Sequence, residues 1–433
     1  MSGYETQLNA EARKGSALRD FLAHGALKII HDDIHERSNP RNEELTGGAT
    51  IAVMSALIGQ SYNMTVGNWD NRANTQVVLL AGSGAGKDAP IAYHEKVVSE
   101  IYSSKCYVST YNSPTVVQHP LKSYGYCFDS KDEAGDLLKA MKSNGGNCAS
   151  GSIAPMIKTL ATRASSNYLG FSQSQLTEKP LSFYCVNPFY SAFSIATPAQ
   201  FMEATSGSDI EGGYWGRVIL LHVEKVASPI NPRLIPVPEA KFSREAAKVI
   251  DHFNSLIAPR RKDKEYSTQA KPQQVIYQHE ASDYLHEVHT AYLHEEKQRD
   301  DYEQIRPIAQ RLGEIASKLL LLYTVSKYYD HPGKAPIADI EGAKICWALA
   351  LELHLEKLRL LKLNAETDYD KVIGYATEKC KDGAVLNKGA LTQFCRRTLA
   401  NKVKANEALE WIGESDLFDL LPPTMAAKSI KLR

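Results

Sequence analysis

The sequence predicts an α/β fold built on a largely parallel sheet, with a helical region after it. Three observations carry that prediction. Apolar strand-type runs alternate with helical patterns from residue 76 to 222, which is the pattern of crossover connections between parallel strands. A glycine-rich turn, Ala81-Gly82-Ser83-Gly84-Ala85-Gly86-Lys87-Asp88, stands between an apolar strand-type run and a helical segment. An acidic pair, Asp132-Glu133, follows a second apolar run, Tyr126-Cys127-Phe128.

The elements follow in order. Apolar spacing at Phe21-Leu22 and Ala26-Leu27-Ile29-Ile30 predicts helix that ends near Asn39-Pro40, and Ala49 to Gln60 reads as a buried helix. Strands are predicted at 76–80, 105–109, 125–129, 181–186, 191–196 and 216–222, with helices at 89–102, 113–123, 133–142, 153–163 and 198–205. Ser143 to Ser152 is loop by composition. Pro229, Pro232, Pro236 and Pro238 mark a linker, after which 239–257, 280–298, 303–328 and 338–363 read as helices. The last has a broad apolar surface from Ile345, Ala348, Leu349, Leu351, Leu353, Leu355 and Leu358. The domains expected are 1–45, an N-terminal helical segment; 46–228, an α/β core; 239–365, a helical domain; and 366–433, a compact mixed unit.

The chain has 433 residues, 43% of them hydrophobic, enough for a large core. Fifty basic and fifty acidic residues cancel, which argues against a generally basic nucleic-acid coat and leaves room for a local basic channel. Seven scattered cysteines form no C-x-x-C, so neither a cysteine zinc site nor a disulfide framework is expected, and a reducing, cytoplasmic setting is. The first residues show no basic-then-apolar signal pattern, and no apolar run reaches the length of a membrane span.

The glycine-rich turn is the strongest chemical signal. Strand, glycine turn, lysine and helix together suit a phosphate-binding loop: glycines let successive backbone N–H groups curl around phosphate oxygens, and a helix N-terminus adds positive potential. Gly82, Ser83, Gly84, Ala85 and Gly86 would form the cradle, and Lys87 would reach the β- and γ-phosphates. Two positions depart from G-x-x-x-x-G-K-[ST]: Ala81 stands first and Asp88 last. Ala81 costs little if its turn needs no positive φ. Asp88 can bind Mg²⁺ directly or through water, while adding negative charge near the phosphates.

Such a loop needs an acidic partner on a neighbouring strand. Asp132, about 45 residues after Lys87, is the candidate Mg²⁺ acid and Glu133 the candidate base that polarises water; Asp129 rivals Asp132. Thr197, at the end of the run Phe193 to Ala196, is a candidate γ-phosphate sensor with Ser194 second, or else a helix N-cap. Arg217, between glycines and an apolar strand, is either an arginine finger acting across a subunit boundary or part of a structural ion pair. The stretch 167–179 reads as a hairpin that contacts nucleic acid or as an ordinary surface loop. His279, His286, His289 and His294 read as a solvated helix, because H-E-V-H is not H-E-x-x-H and lacks a third ligand.

These residues together resemble a family of P-loop, helicase-like proteins of bacteriophages, satellites and mobile elements, often found beside primases. The carrying motifs are Gly84-Ala85-Gly86-Lys87-Asp88 with Pro90, Asp132-Glu133-Ala134-Gly135, Ser194 to Phe201, the glycine-rich approach to Arg217, and Arg311 to Leu319. The similarity spans roughly residues 20–365, and the order of the motifs is more specific than any one of them. It implies a P-loop NTPase core with a RecA/AAA+-like sheet, ATP and Mg²⁺ as cofactors, and a ring, a hexamer, in which Arg217 completes a neighbour's site and Arg311 is a second sensor. It also implies DNA, single-stranded or forked, as partner, with priming left to a primase or initiator. The tail, Gly383 to Leu421, is similar to a winged helix in which Arg396, Arg397, Lys402 and Lys404 would meet phosphates, or else a docking domain. The function expected is an ATP-hydrolysing DNA motor in replication of a phage or mobile element. Its alternatives are an ATP-dependent helicase loader or origin remodeller, and a non-hydrolysing DNA-binding scaffold.

Overall fold

The computed structural model describes residues 16–66, 69–102, 104–108, 115–135, 153–169, 184–205, 213–223, 241–261, 272–299, 302–331, 333–364, 368–380, 386–398, 408, 412, 418–424 and 427–432. It forms two compact units, Met1–Leu361 and Lys362–Arg433.

The first unit is mixed α/β. Its N-terminal helices are α1 (Ser16–Leu22), α2 (Gly25–Arg37) and α3 (Glu43–Ile58). A parallel sheet of five strands follows, in the order β4 (Tyr107–Val108), β5 (Tyr126–Lys131), β8 (Phe189–Ala196), β3 (Gln76–Leu80), β9 (Val218–His222). A short ribbon, β1 (Tyr62–Val66) and β2 (Trp69–Asn71), precedes them. Helices α4 (Asp88–Ile101), α5 (Thr115–Tyr124), α6 (Ile153–Thr162) and α7 (Pro198–Ala204) lie between the strands in sequence. The sheet is buried on both faces: Val77 and Leu79 join one core cluster while Val78 and Leu80 join another. That is why these strands read as continuous apolar runs rather than as alternation.

The sequence reading places one strand differently. The run 181–186 is expected in the parallel sheet; instead β7 (Tyr184–Val186) pairs antiparallel with β6 (Asn167–Leu169) in a separate two-stranded ribbon. Asn187, at φ +48°, turns the chain out of that ribbon and into β8. The expected helix at 133–142, apart from its first residues, the loop 143–152 and the prolines 229–238 lie outside the described residues.

The helices after residue 241 are α8 (Arg244–Arg261), α9 (His279–Glu296), α10 (Tyr302–Ala309), α11 (Leu312–Tyr328) and α12 (Ile340–Asn364); the short strands β10 (Gln273–Gln274), paired with β1, and β11 (Ile276–Tyr277), paired with β12 (Ile337–Ala338), run among them. The sequence reading separates 1–45, 46–228 and 239–365; the structure packs their described residues through Leu361 as one unit. Leu27, Val53, Leu79, Val249 and Leu320 belong to a single core cluster, so the sheet and the flanking helices bury the same apolar surface. Polar contacts reinforce this. Buried Asp33 of α2 accepts from Arg37 Nε at 2.8 Å, from Tyr93 Oη of α4 at 2.8 Å and from the Ser243 amide before α8 at 3.2 Å. Ser326 Oγ of α11 accepts from the Leu27 amide at 2.6 Å and donates to the His24 carbonyl at 3.0 Å.

The second unit contains α13 (Asp368–Lys379), α14 (Lys388–Thr398) and a three-stranded antiparallel sheet of β13 (Leu386–Asn387), β15 (Ala427–Leu432) and β14 (Phe418–Thr424) in that order. Its core is Val372, Ala376, Cys380, Leu391, Ala408 and Ile412, with Tyr375 stacked on Phe394 at 4.0 Å. Among the described residues of the chain, no helix is long and apolar enough to cross a membrane.

Gly25 has φ +53°, and a Cβ there would overlap the Ser326 carbonyl. Gly25→Ala therefore destabilises the first unit by about 3 kcal/mol through combined backbone strain and overpacking, measured as a lower urea midpoint at unchanged m-value.

Candidate functional site

The chain starts the sheet in its interior, at β3, passes to the edge at β4, returns inward through β5 and β8, and finishes on the other side of β3 at β9. The direction of winding therefore reverses beside β3. Crevices at the carboxyl ends of strands at such a reversal are where open α/β sheets bind ligands. The glycine-rich turn occupies that place, leaving β3 and entering α4.

Two hydrogen bonds fix the site. The Ala81 amide donates to the Ala196 carbonyl at 2.9 Å, and the Ala134 amide donates to the Ile195 carbonyl at 2.8 Å. Consecutive carbonyls of a strand point to opposite sides, so the tip of β8 holds the glycine turn on one side and the acidic pair on the other.

Within the turn, Gly84 and Gly86 have φ +77° and +86°, values that a Cβ disfavours. Among the described residues, added Cβ atoms at Gly82 or Gly84 would meet nothing within 4 Å, so the turn is open to them on that side. Gly86 is closed: a Cβ there would lie 2.7 Å from the Pro40 carbonyl, so the connection between α2 and α3 backs the turn. Ala81 is buried without a positive φ, so glycine is not needed at that position. Ser83 is exposed, Ala85 is buried, and Lys87 is half-buried at the N-cap of α4, where its side chain makes no capping bond. Among the described residues no side-chain ion pair holds Lys87. Asp88 is exposed in the first turn of α4.

Asp132 and Glu133 are both exposed just past β5. Asp132 Oδ1 accepts from the Glu133 amide at 3.1 Å. Glu133 has φ +59°, a left-handed conformation that costs a non-glycine residue roughly 1–2 kcal/mol. Strain of this kind gathers at functional sites. Asp129 differs: it is fully buried within β5, 3.2 Å from Lys131 Nζ, and accepts a long bond from Tyr190 Oη at 3.4 Å.

Thr197 caps α7. Its Oγ1 accepts from the Gln200 amide at 3.2 Å, while Gln200 Oε1 accepts from the Thr197 amide at 3.0 Å. A Cβ on Gly135 would lie 2.8 Å from Gln200 Cδ, so the capping box adjoins the acidic segment. Ser194 is buried in β8.

Arg217 lies at the opposite end of the sheet. It closes a 3₁₀ turn, Trp215–Arg217, just before β9, whose first residue, Val218, is level with Gln76 at the start of β3. Five strand residues at about 3.3 Å each separate it from the glycine turn, roughly 15 Å or more. Arg217 donates to the Gly213 carbonyl at 2.6 Å. Arg311, which the resemblance casts as a second sensor, adjoins it: a Cβ on Gly216 would lie 3.1 Å from Arg311 Cγ. Arg311 binds Glu314 at 2.6 Å, and buried Lys318 lies 3.7 Å from the same carboxylate. Burial, with repulsion from Arg311, lowers the Arg217 pKa. Attraction to Lys318 and Arg311 lowers that of Glu314 against its own burial.

Sequence reasoning missed several contributors. His94 of α4 is fully buried, its Nδ1 lying 2.9 Å from Ser130 Oγ, which ties the helix after the glycine turn to the strand before the acidic pair. Burial alone lowers its pKa to about 4. Pro40 is another, joining the site through long-range packing that no local motif announces; Glu314 and Lys318 lie within the Arg311–Leu319 motif, where the sequence reading assigned a role to Arg311 alone. Of the histidines singled out in the sequence, His279, His286 and His294 are exposed on α9, and His289 approaches the Ala309 carbonyl at 3.3 Å. Comparison with known proteins yields no matching family model and no matching curated protein.

Glu133→Gly relieves the left-handed strain and raises unfolding stability by up to about 1 kcal/mol. Glu133→Gln keeps the backbone and leaves stability within about 0.5 kcal/mol. Denaturant unfolding of both variants checks the pair. For His94, the unfolded imidazole titrates near 6.5 and the folded one at about 4, so the unfolded chain takes up the proton first as pH falls. The stability tied to His94 is complete above pH 6.5 and is lost toward pH 4, by up to about 3 kcal/mol. Unfolding as a function of pH should show a shallower acid loss for His94→Gln than for the wild type.

Proposed function

We propose that the protein is an ATPase of the P-loop, helicase-like kind. It hydrolyses ATP with Mg²⁺ to move along or open single-stranded or forked DNA in replication of a phage or other mobile element. It works in the bacterial cytoplasm as a ring, a hexamer, beside a primase or initiator. The observation that carries this reading is the tip of β8. Its consecutive carbonyls hold the entry of the glycine turn on one flank and the residue after Asp132-Glu133 on the other, at the carboxyl ends of a parallel sheet.

The residues present fit a nucleotide phosphate chain and a hard cation. The turn has two glycines at positive φ and an open side at Gly82 and Gly84, so its amides can converge on an anion. Lys87 brings a positive charge to the β/γ end, with Ser83 and Ala85 in the cradle. Asp132 and Asp88 would hold Mg²⁺, which neutralises phosphate charge when bound. The exposure of Asp132 and the burial of Asp129 beside Lys131 favour Asp132 for this role. Glu133 accepts a proton from the attacking water and orients it. Thr197 acts by shaping the end of β8 through its capping box.

Arg217 is too far from its own glycine turn to serve it, and this supports action in trans on a neighbouring subunit's phosphate. Arg311 accompanies it, so both cations face the neighbour. The second unit, with α14 and the antiparallel hairpin β14–β15, suits a winged-helix-like contact to DNA phosphates.

ATP turnover measured with and without single-stranded DNA tests the reading. The wild type is expected to hydrolyse ATP and to be stimulated by DNA. Glu133→Gln should retain ATP binding while losing at least about 100-fold in turnover, and Lys87→Ala should lose nucleotide binding. Absent turnover with intact DNA binding indicates the scaffold; turnover without strand displacement on a fork indicates the loader. Mixing inactive Arg217→Ala with inactive Lys87→Ala should restore partial activity, because one mixed interface then has both an intact turn and an intact arginine. No restoration would remove the trans assignment.

A further inference from the structure

Two histidines and a glutamate at the start of the chain converge in a way that neither the sequence motifs nor the proposed ATPase explains. His31 and His35 stand one helical turn apart on α2, on one face, as i and i+4 residues must. Glu43 opens α3 after the short connection 38–42. One ligand atom from each of the three lies within 4.8 Å of the other two. His31 Nε2 is 3.8 Å from Glu43 Oε1, and the two imidazole centroids are 5.5 Å apart.

The surrounding groups turn the nitrogens toward a common point. Thr46 Oγ1 donates its hydrogen to the Asn42 carbonyl at 2.8 Å. The same Oγ1 lies 3.1 Å from His31 Nε2 and 3.2 Å from His35 Nδ1, so both nitrogens converge on it. On the far side of the His31 ring, Nδ1 faces Asp32, 3.8 Å away. A carboxylate behind the non-ligating nitrogen is the usual second partner of a metal-binding histidine, since it fixes the ring and leaves the other nitrogen with its lone pair forward.

We propose that His31, His35 and Glu43 form a binding site for a divalent transition-metal ion of the zinc class, with the Thr46 hydroxyl or a water completing four-fold coordination. Two imidazoles and one carboxylate suit that class. Two nitrogen donors argue against Mg²⁺ and Ca²⁺, which prefer oxygen throughout. The site clamps α2 to α3 across the connection that carries Pro40, on which Gly86 of the glycine turn packs. It is independent of Lys87, Asp132 and Glu133, so it stands or falls apart from the ATPase reading.

The test uses the full chain, stripped with a chelator and titrated with Zn²⁺ by calorimetry and with Co²⁺ by visible absorption. The wild type should bind one equivalent and show the intense d–d bands of a four-coordinate Co²⁺ site. Its thermal midpoint should rise with Zn²⁺. His35→Asn and Glu43→Gln, both at half-buried positions, should each weaken Zn²⁺ binding by at least about 10-fold and abolish the thermal shift; Lys87→Ala should bind as the wild type does. Should a variant fail to fold in chelator, X-ray absorption of the Zn²⁺-loaded wild type decides, with two imidazole shells expected. No binding by the wild type, a six-coordinate Co²⁺ spectrum, or affinity unchanged in both folded variants would overturn the proposal; the last would move the ion to the histidines of α9.

Discussion

The tip of β8 is the constraint on which the candidate site depends. A strand in the interior of a parallel sheet offers carbonyls to both neighbours, and at its carboxyl end those carbonyls have no further strand residue to serve. Here they accept from Ala81 and Ala134 instead. The glycine turn and the acidic pair are thus set by backbone hydrogen bonds rather than by side chains. Movement of β8 along its axis would displace both together. The capping box of Thr197 and Gln200 stops the chain just beyond those carbonyls, and Gly135 packs on Gln200. A helix cap, a sheet tip and a strained acidic residue therefore form one mechanical piece.

Charge is divided between the two ends of the sheet. The carboxyl end carries the glycine turn, Lys87 and the exposed acids Asp88, Asp132 and Glu133. Among the described residues, the amino end carries Arg217, Arg311 and Lys318 around the carboxylate of Glu314. Three cations on one anion leave a positive surplus in partly desolvated surroundings, where repulsion is screened less than in water. Burial first, and repulsion among these cations after it, lowers the pKa of Arg217 and of Lys318. An incoming phosphate would relieve that surplus. In the ring proposed above, the acid-lined glycine turn of one subunit would meet these cations of the next head to tail.

The N-terminal helices belong to this arrangement rather than preceding it. Asp33 joins α2, α4 and the approach to α8, while Ser326 joins α2 to α11. Pro40 is pressed on Gly86. The glycine turn is therefore supported from behind by residues some 45 positions earlier in the chain, and the helices after residue 241 close the same core.

Much of the site was legible in the sequence because its signals are local. Strand, glycine turn and helix can be read at 76–101 since glycine spacing and hydrophobic period act within a few residues. The alternation that predicts a parallel sheet is local in the same sense, and Ala81 is compatible with its turn because the backbone there needs no positive φ. Strand order is another matter, because it depends on hydrogen-bond partners far apart in sequence. It alone decided that β8 separates β3 from β5, that the run 184–186 leaves the sheet, and that Arg217 with Arg311 faces away from its own turn. The histidines of α9 drew attention by their density, yet His279, His286 and His294 are exposed and His289 packs toward the Ala309 carbonyl. His31, His35 and Glu43 carry no recognisable motif, because their proximity arises from the angle at which α3 returns against α2. Hydrophobic period and glycine chemistry are written along the chain; distances between elements are set by packing, and only the folded protein contains them.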